Sequence, residues 1–274
     1  MDNRPIGILD SGVGGLTGLK ALRAFLPDEN VVYFADSGRM PYGGRPRGQI
    51  QSMTRQGLEF LNGFDVKAIL VACGTISSNA EALLHEWPVP AVGVLYPPVE
   101  RIRREAGSGK IAVIATEASV RSGRYRQELE KSCSGREILE IACPDFAPLI
   151  ESGHINAGDP LLQDAVERYL HPLRKEHVSM VLLGCTHYGI IGEVIQDYLG
   201  PETRLVSAAE SGAAALCSGL LKQKQTGGSG ETRFFTSGDP AAFAATAAIL
   251  LGSETGEICV EGVAPPATPV AEDR

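Results

Sequence analysis

Short unbroken apolar runs alternate along the chain with longer stretches in which apolar residues recur every three or four positions. The runs predict strands at Ile6–Leu9, Val31–Ala35, Ala68–Cys73, Ala91–Leu95, Ile111–Ala115, Ile138–Ala142, Met180–Gly184, Arg204–Val206 and Arg233–Thr236. The helical period predicts helices over Leu16–Leu26, Arg47–Asn62, Ser77–Glu86, Val99–Glu105, Ser119–Ser132, Pro160–Lys175 and Ala208–Lys224. Strands that are apolar on both faces and alternate with helices belong to parallel sheets covered on both sides, so the fold class read here is α/β. Composition breaks at Tyr96-Pro97-Pro98 and near Ser207, and the proline-bearing stretch 263–274 lacks apolar periodicity and reads as a disordered tail.

Two of the predicted strands echo each other. Val66 to Thr75 and Val178 to His187 are both buried-strand patterns that run through a small residue into a cysteine, Cys73 and Cys185, with a threonine within two residues. Ligands of open α/β sheets bind beyond the carboxyl ends of the strands. Both thiols therefore fall where a ligand would sit, one from each of two similar halves.

Bulk composition narrows the function classes. Of 274 residues 43% are hydrophobic and 21% charged, with a net charge of −8 and no basic run. That balance disfavours a general nucleic-acid binder, whose affinity comes largely from Lys and Arg on phosphates. The N-terminus shows no signal-peptide pattern, and the most apolar late stretch, Ala241–Leu251, is far short of the roughly 20 residues of a membrane span. Six scattered cysteines without a C-x-x-C pair read as reduced thiols of a cytosolic protein.

A thiol just past a strand and just before a helix meets the positive end of that helix, which is expected to bring its pKa below about 8.5. That would suit Cys73 and Cys185 as bases near neutral pH. Buried cysteine is more often a small hydrophobe, and Cys133, Cys217 and Cys259 are read so. His187 lies too close to Cys185 in sequence for ordinary zinc spacing, a redox pair lacks a nearby resolving cysteine, and a Cys–His nucleophile leaves the second thiol unexplained. The turn Asp10-Ser11-Gly12-Val13-Gly14-Gly15 can bring backbone close to a ligand and offer helix N–H groups to an anion. A dinucleotide site with Asp36 on the ribose is the rival there, but Thr17 stands where the third glycine of G-x-G-x-x-G belongs, so no nicotinamide cofactor is expected. Pro41-Tyr42-Gly43-Gly44 is a turn-prone loop.

Taken together, Ile8 to Thr17, Pro41-Tyr42-Gly43, Ala72-Cys73-Gly74-Thr75 and Gly184-Cys185-Thr186-His187-Tyr188 resemble the glutamate racemase family. Weaker echoes include Val113 to Thr116, Arg121-Ser122-Gly123, Cys143-Pro144 with Glu151, and Ser237 to Pro240, all in order between about residues 6 and 252. The resemblance implies two facing α/β domains, 1–97 with 208–262 and 98–207, and interconversion of L- and D-glutamate that supplies bacterial cell wall. It implies no cofactor or metal, a small acidic amino acid as the partner, and no membrane or nucleic acid; a homodimer is left open. By motif position Cys185 takes the α-proton of L-glutamate and Cys73 that of D-glutamate, with Asp10, Glu151 and His187 supporting the thiols. Ser11, Pro41, Tyr42, Gly43 and Thr75 are implied substrate contacts, together with Asp10, Gly74, Thr116, Ser119, Thr186 and His187. Inversion needs a base on one face of Cα and an acid on the other; a positioned acid or base contributes roughly 10²–10⁴-fold and a donor on developing charge about 10²–10³.

The chain departs from the family pattern at three places: Gly74 replaces the usual Asn after the first cysteine, Gly189 a common Pro, and Ser119 a customary Thr. Gly74 removes an amide that touches substrate in the family, so glutamate is expected to turn over with a raised KM that Gly74→Asn lowers. A racemase for another acidic or modified amino acid, a decarboxylating or isomerising relative, and a non-catalytic binding or inhibitory relative are the alternatives.

Overall fold

The computed structural model describes residues 2–105, 107–252 and 258–264. The first part of the chain runs β1 (Ile6–Asp10), α1 (Leu16–Phe25), β2 (Val31–Ala35), α2 (Arg47–Asn62), β3 (Ala68–Val71), α3 (Gly74–Asn79), α4 (Glu81–His85), β4 (Ala91–Gly93) and α5 (Tyr96–Glu105). The second continues with β5 (Ile111–Ala115), α6 (Glu117–Ser122), α7 (Arg124–Ser132), β6 (Ile138–Ala142), α8 (Phe146–Glu151), α9 (Pro160–Lys175), β7 (Met180–Leu183), α10 (Gly192–Leu199) and β8 (Arg204–Ser207). The last runs α11 (Ala208–Gln223), β9 (Thr232–Thr236), α12 (Pro240–Leu251) and β10 (Val260–Gly262).

The strands form two sheets, ordered β10-β9-β2-β1-β3-β4 and β6-β5-β7-β8, and every described pair is parallel. The second sheet repeats the β2-β1-β3-β4 order of the first, with β7 in the place of β3. Leu9 pairs with Val71 and Ile114 with Leu183, so Cys73 and Cys185 each lie two residues beyond an equivalent register position. The α/β class holds, with four apolar clusters, one on each face of each sheet, accounting for the unbroken apolar runs. The chain leaves the first sheet after β4 and comes back to it through α11, adding β9 beside β2.

Several elements differ from the sequence expectation. The single helix Ser77–Glu86 is two, starting earlier at Gly74 and interrupted at Ala80, whose backbone leaves the helical region. Ser119–Ser132 is broken at Gly123, which adopts φ +65°, a left-handed conformation that glycine takes without a Cβ penalty. α5 begins at Tyr96 rather than Val99, because prolines in a first helical turn remove N–H groups that have no helical partner anyway. α8, α10, α12 and β10 were not anticipated. Of the stretch read as a tail, Val263 donates to the Thr236 carbonyl at 2.9 Å, and 265–274 lie outside the described residues. Among the described residues no helix is long and apolar enough to cross a membrane.

Candidate active site

A cavity of about 420 Å³ opens where the carboxyl ends of β1, β3, β5 and β7 converge. Cys73 and Thr75 reach it from the first sheet, Cys185 and His187 from the second. Ser11 enters from the turn after β1 and Thr116 from the turn after β5. Pro41, Tyr42 and Gly43 form one wall; Pro144, Ala147 and Pro148 form another. Both thiols are nearly buried, at 4% and 6% exposure, so each faces the cavity rather than bulk water.

From the lining a chain of hydrogen-bonded groups runs into the protein. Cys185 Sγ lies 3.7 Å from His187 Nδ1, whose Nε2 is 2.6 Å from Glu151 Oε1. The same carboxylate oxygen accepts the Val13 N–H at 3.0 Å. Burial alone would push the His187 imidazole down, but its hydrogen bonds to Cys185 and Glu151 together raise its pKa well above the ordinary value. On the other side Ser11 Oγ lies 3.6 Å from Cys73 Sγ. Asp10 is fully buried; its Oδ2 accepts from Gly15 N at 2.7 Å and Gly12 N at 3.3 Å. Burial lifts its pKa to about 6 against the pull of His187 and these N–H groups.

Two expectations are corrected here. The Cys73 thiol is pushed up, not down: burial is the main cause and the Asp10 charge the next, and the Ile76 N–H at the start of α3 is outweighed. A helix terminus contributes about 0.3–1 kcal/mol, whereas full burial moves a pKa by as much as 3–5 units. The glycines of the Asp10–Gly15 turn admit protein, not a ligand anion. A β-carbon on Gly12 would overlap Glu151 and Met40, and one on Gly14 would overlap His187 and Thr186. The N–H groups of Gly12 and Gly15 go to Asp10, and that of Val13 to Glu151.

The remaining expected residues are close by but play different geometric parts. Thr75 Oγ1 and Thr116 Oγ1 stand 2.9 Å apart across the two halves, and Thr116 Oγ1 also meets Ser119 Oγ at 3.0 Å. Ser119 is fully buried and bonded further to Ser78 at 3.2 Å, so it lies behind the lining. Thr186 is also buried, its carbonyl 3.4 Å from Thr17 Oγ1. Asp10 and Glu151 are not among the residues that line the cavity. Gly74 faces the Gly184 carbonyl rather than the cavity, since a β-carbon there would overlap that oxygen.

Sequence reasoning missed what holds the Tyr42 wall. Asp36 Oδ2 accepts from Arg39 Nε at 2.7 Å and from the Tyr42 hydroxyl, while Oδ1 accepts from Ser237 Oγ at 2.6 Å. All four side chains are buried, and Ser237 arrives from the end of β9, about 200 residues away. The signal available was a lone acid at the end of a strand just before a turn-prone loop.

The family described as Asp/Glu/Hydantoin racemase matches residues 19–216. The chain is 38% identical to a glutamate racemase of Streptococcus gordonii over 93% of its own length and 97% of that protein's. Its fold superposes on a glutamate racemase of Bacillus anthracis with a TM-score of 0.88 at 32% identity, covering 96% of this chain and 98% of that one. A glutamate racemase of Francisella tularensis solved in complex with D-glutamate gives 0.86, again at 32% identity and covering 96% and 98%.

Proposed function

Because the chain belongs to the glutamate racemase family, we propose that it interconverts L- and D-glutamate by taking the α-proton from one face of Cα and returning a proton to the other, the reaction that supplies D-glutamate for peptidoglycan. The observation that carries this reading is one thiol from each of two sheets of the same strand order, both lining one cavity. The α-proton of an amino acid is far less acidic than a thiol, so the base must be held against it and the developing carbanion must meet fixed donors.

In the L-to-D direction Cys185 removes the α-proton as thiolate and Cys73, kept protonated by burial and by Asp10, delivers its own proton to the opposite face. The thiols end with their states exchanged, and proton exchange with solvent resets them. His187, held cationic by its hydrogen bonds with Cys185 and Glu151, is the positioning residue for Cys185. Tyr42 already spends its hydroxyl proton on Asp36, so the Tyr42–Gly43 backbone meets the substrate, with Ser11 and Thr75 completing the polar contacts. Residues 1–97 with 208–262 are assigned to one domain and 98–207 to the other. The six free cysteines suit a reducing cytoplasm.

Cys73→Ala and Cys185→Ala should each abolish racemisation. In D₂O the product enantiomer should carry deuterium at Cα from the earliest times, with residual substrate labelled more slowly. A single variant near wild-type turnover in both directions, or early product without label, would exclude the two-thiol route. A panel of L-amino acids in the same assay tests glutamate as the substrate.

A further inference from the structure

Gly74 is the residue immediately after Cys73, and Gly184 the residue immediately before Cys185. Their backbones meet. A β-carbon on Gly74 would overlap the Gly184 carbonyl oxygen, stand 2.9 Å from its carbonyl carbon, and lie 3.3 Å from the Tyr125 hydroxyl. The obstacle is backbone, which cannot swing aside as the end of a flexible side chain can. Tyr125 holds it there: its hydroxyl lies 3.2 Å from the Gly184 carbonyl and 3.0 Å from that of Val94, where the chain is leaving the first sheet, and the ring is fully buried. One turn along the same face of α3, Ser78 bonds Ser119 of the second half at 3.2 Å, so the contact continues along the seam.

We infer that Gly74 is a spacing residue: bare backbone against the Gly184 carbonyl sets how far apart Cys73 and Cys185 stand, and Tyr125 is the positioning residue that fixes the carbonyl. The inference rests on the two-thiol reading above. Gly74 and Ser119 both lie on this seam. In the packing of this chain a side chain at 74 must push the two thiol-bearing strand ends apart. A substrate held by one half then keeps its base but loses its acid, so the abstracted proton goes back to the face it left. A misplacement near 1 Å can cost about 10²-fold in rate.

The test measures racemisation and Cα deuterium exchange together, in D₂O, for wild type, Gly74→Ala, Gly74→Asn and Tyr125→Phe. Gly74→Ala should racemise about 10²-fold more slowly while exchange into unreacted substrate falls far less, so the exchange-to-racemisation ratio rises about tenfold or more. Gly74→Asn should behave the same way, and Tyr125→Phe should raise the ratio by a smaller factor. Loss of structure alone lowers both rates together and leaves the ratio fixed. Bridging of the two thiols by a short bis-alkylating reagent should be faster in wild type than in Gly74→Ala, a readout that needs no turnover. Wild-type ratios in the variants overturn the inference, as does a Gly74→Asn with kcat held and KM lowered, which would make position 74 a substrate contact. If Gly74→Ala does not fold, an unchanged ratio in Tyr125→Phe is by itself enough to overturn it. A wild type that neither exchanges nor racemises glutamate is a different failure, that of the proposed function, and leaves the bridging comparison to decide the spacing.

Discussion

Asp10 ends β1 fully buried, with one carboxylate oxygen bonded to two backbone N–H groups and the other without a hydrogen-bond partner among the described residues. Its pKa of about 6 against an ordinary 3.8 means that the folded state holds the Asp10 proton more tightly than the unfolded chain does. A raised pKa contributes stability that is complete below 3.8 and is lost as pH rises through 6. Above that, ionised Asp10 weighs against folding by something on the order of 3 kcal/mol. Asp10→Asn cannot ionise, so its stability relative to wild type should improve by about that amount between pH 3.8 and neutrality, whatever constant offset the new amide brings. Racemisation should fall in the same variant. Urea unfolding of both proteins across that pH range reads the difference, and parallel curves would rule out a raised Asp10 pKa. The cysteines were legible as a pair because their strand patterns repeat. Their electrostatics were not, since sequence shows the helix start next to Cys73 but not the burial or the Asp10 charge that outweighs it.

At the scale of elements, the loop between β2 and α2 depends on residues that sequence proximity does not connect. Asp36 reads in sequence as a candidate ribose ligand; in the fold both its oxygens are taken by Arg39, Tyr42 and Ser237. Asp36→Asn would leave the Arg39 guanidinium, only 4% exposed, facing a neutral partner and would weaken the Tyr42 tether. A hydrogen bond to a charged group is worth about 1.5–3 kcal/mol, roughly 10–150-fold, so Tyr42→Phe and Asp36→Asn should raise KM for glutamate at least tenfold while kcat falls less. An unchanged KM in a folded Asp36→Asn would show that the wall does not need this anchor. The long amphipathic helices and buried strands were legible from period alone. The Gly123 break was written as a glycine in a helical stretch, and α12 as Asp239-Pro240, since the Asp239 side chain accepts the Ala241 N–H at 2.9 Å. β10 could not be read, because an edge strand of three residues is too short to carry a period of its own.

Across the whole molecule, the repeated strand order accounts for the internal echo in the sequence, and the seam between the halves accounts for what the echo could not reveal. Pairs such as Val13 N with Glu151, Ala118 N with the Gly43 carbonyl at 2.7 Å, and Thr75 with Thr116 join positions far apart in the chain. Away from the cavity lining, Arg124 of α7 pairs with Glu81 of α4 at 2.5 Å and reaches the Tyr96 hydroxyl at 3.1 Å. Moving the halves apart would break this pair, so it weighs against such opening, and a ligand held by both halves would bind more weakly in proportion as the present arrangement were depopulated. The two side chains are 26% and 22% exposed, so solvent screens the pair and its worth is held to about 0.2–1 kcal/mol. Arg124→Met should therefore raise KM for glutamate by about 1.5- to 5-fold with kcat retained. Salt adds a control. Screening weakens the pair in wild type and has nothing to weaken in the variant, so the ratio of the two KM values should shrink as ionic strength rises, even though salt also acts on the charged substrate in both. Paired KM measurements at low and high salt decide it: a ratio near one at low salt, or one that does not move with salt, would show that this ion pair has no part in holding the halves together around the substrate.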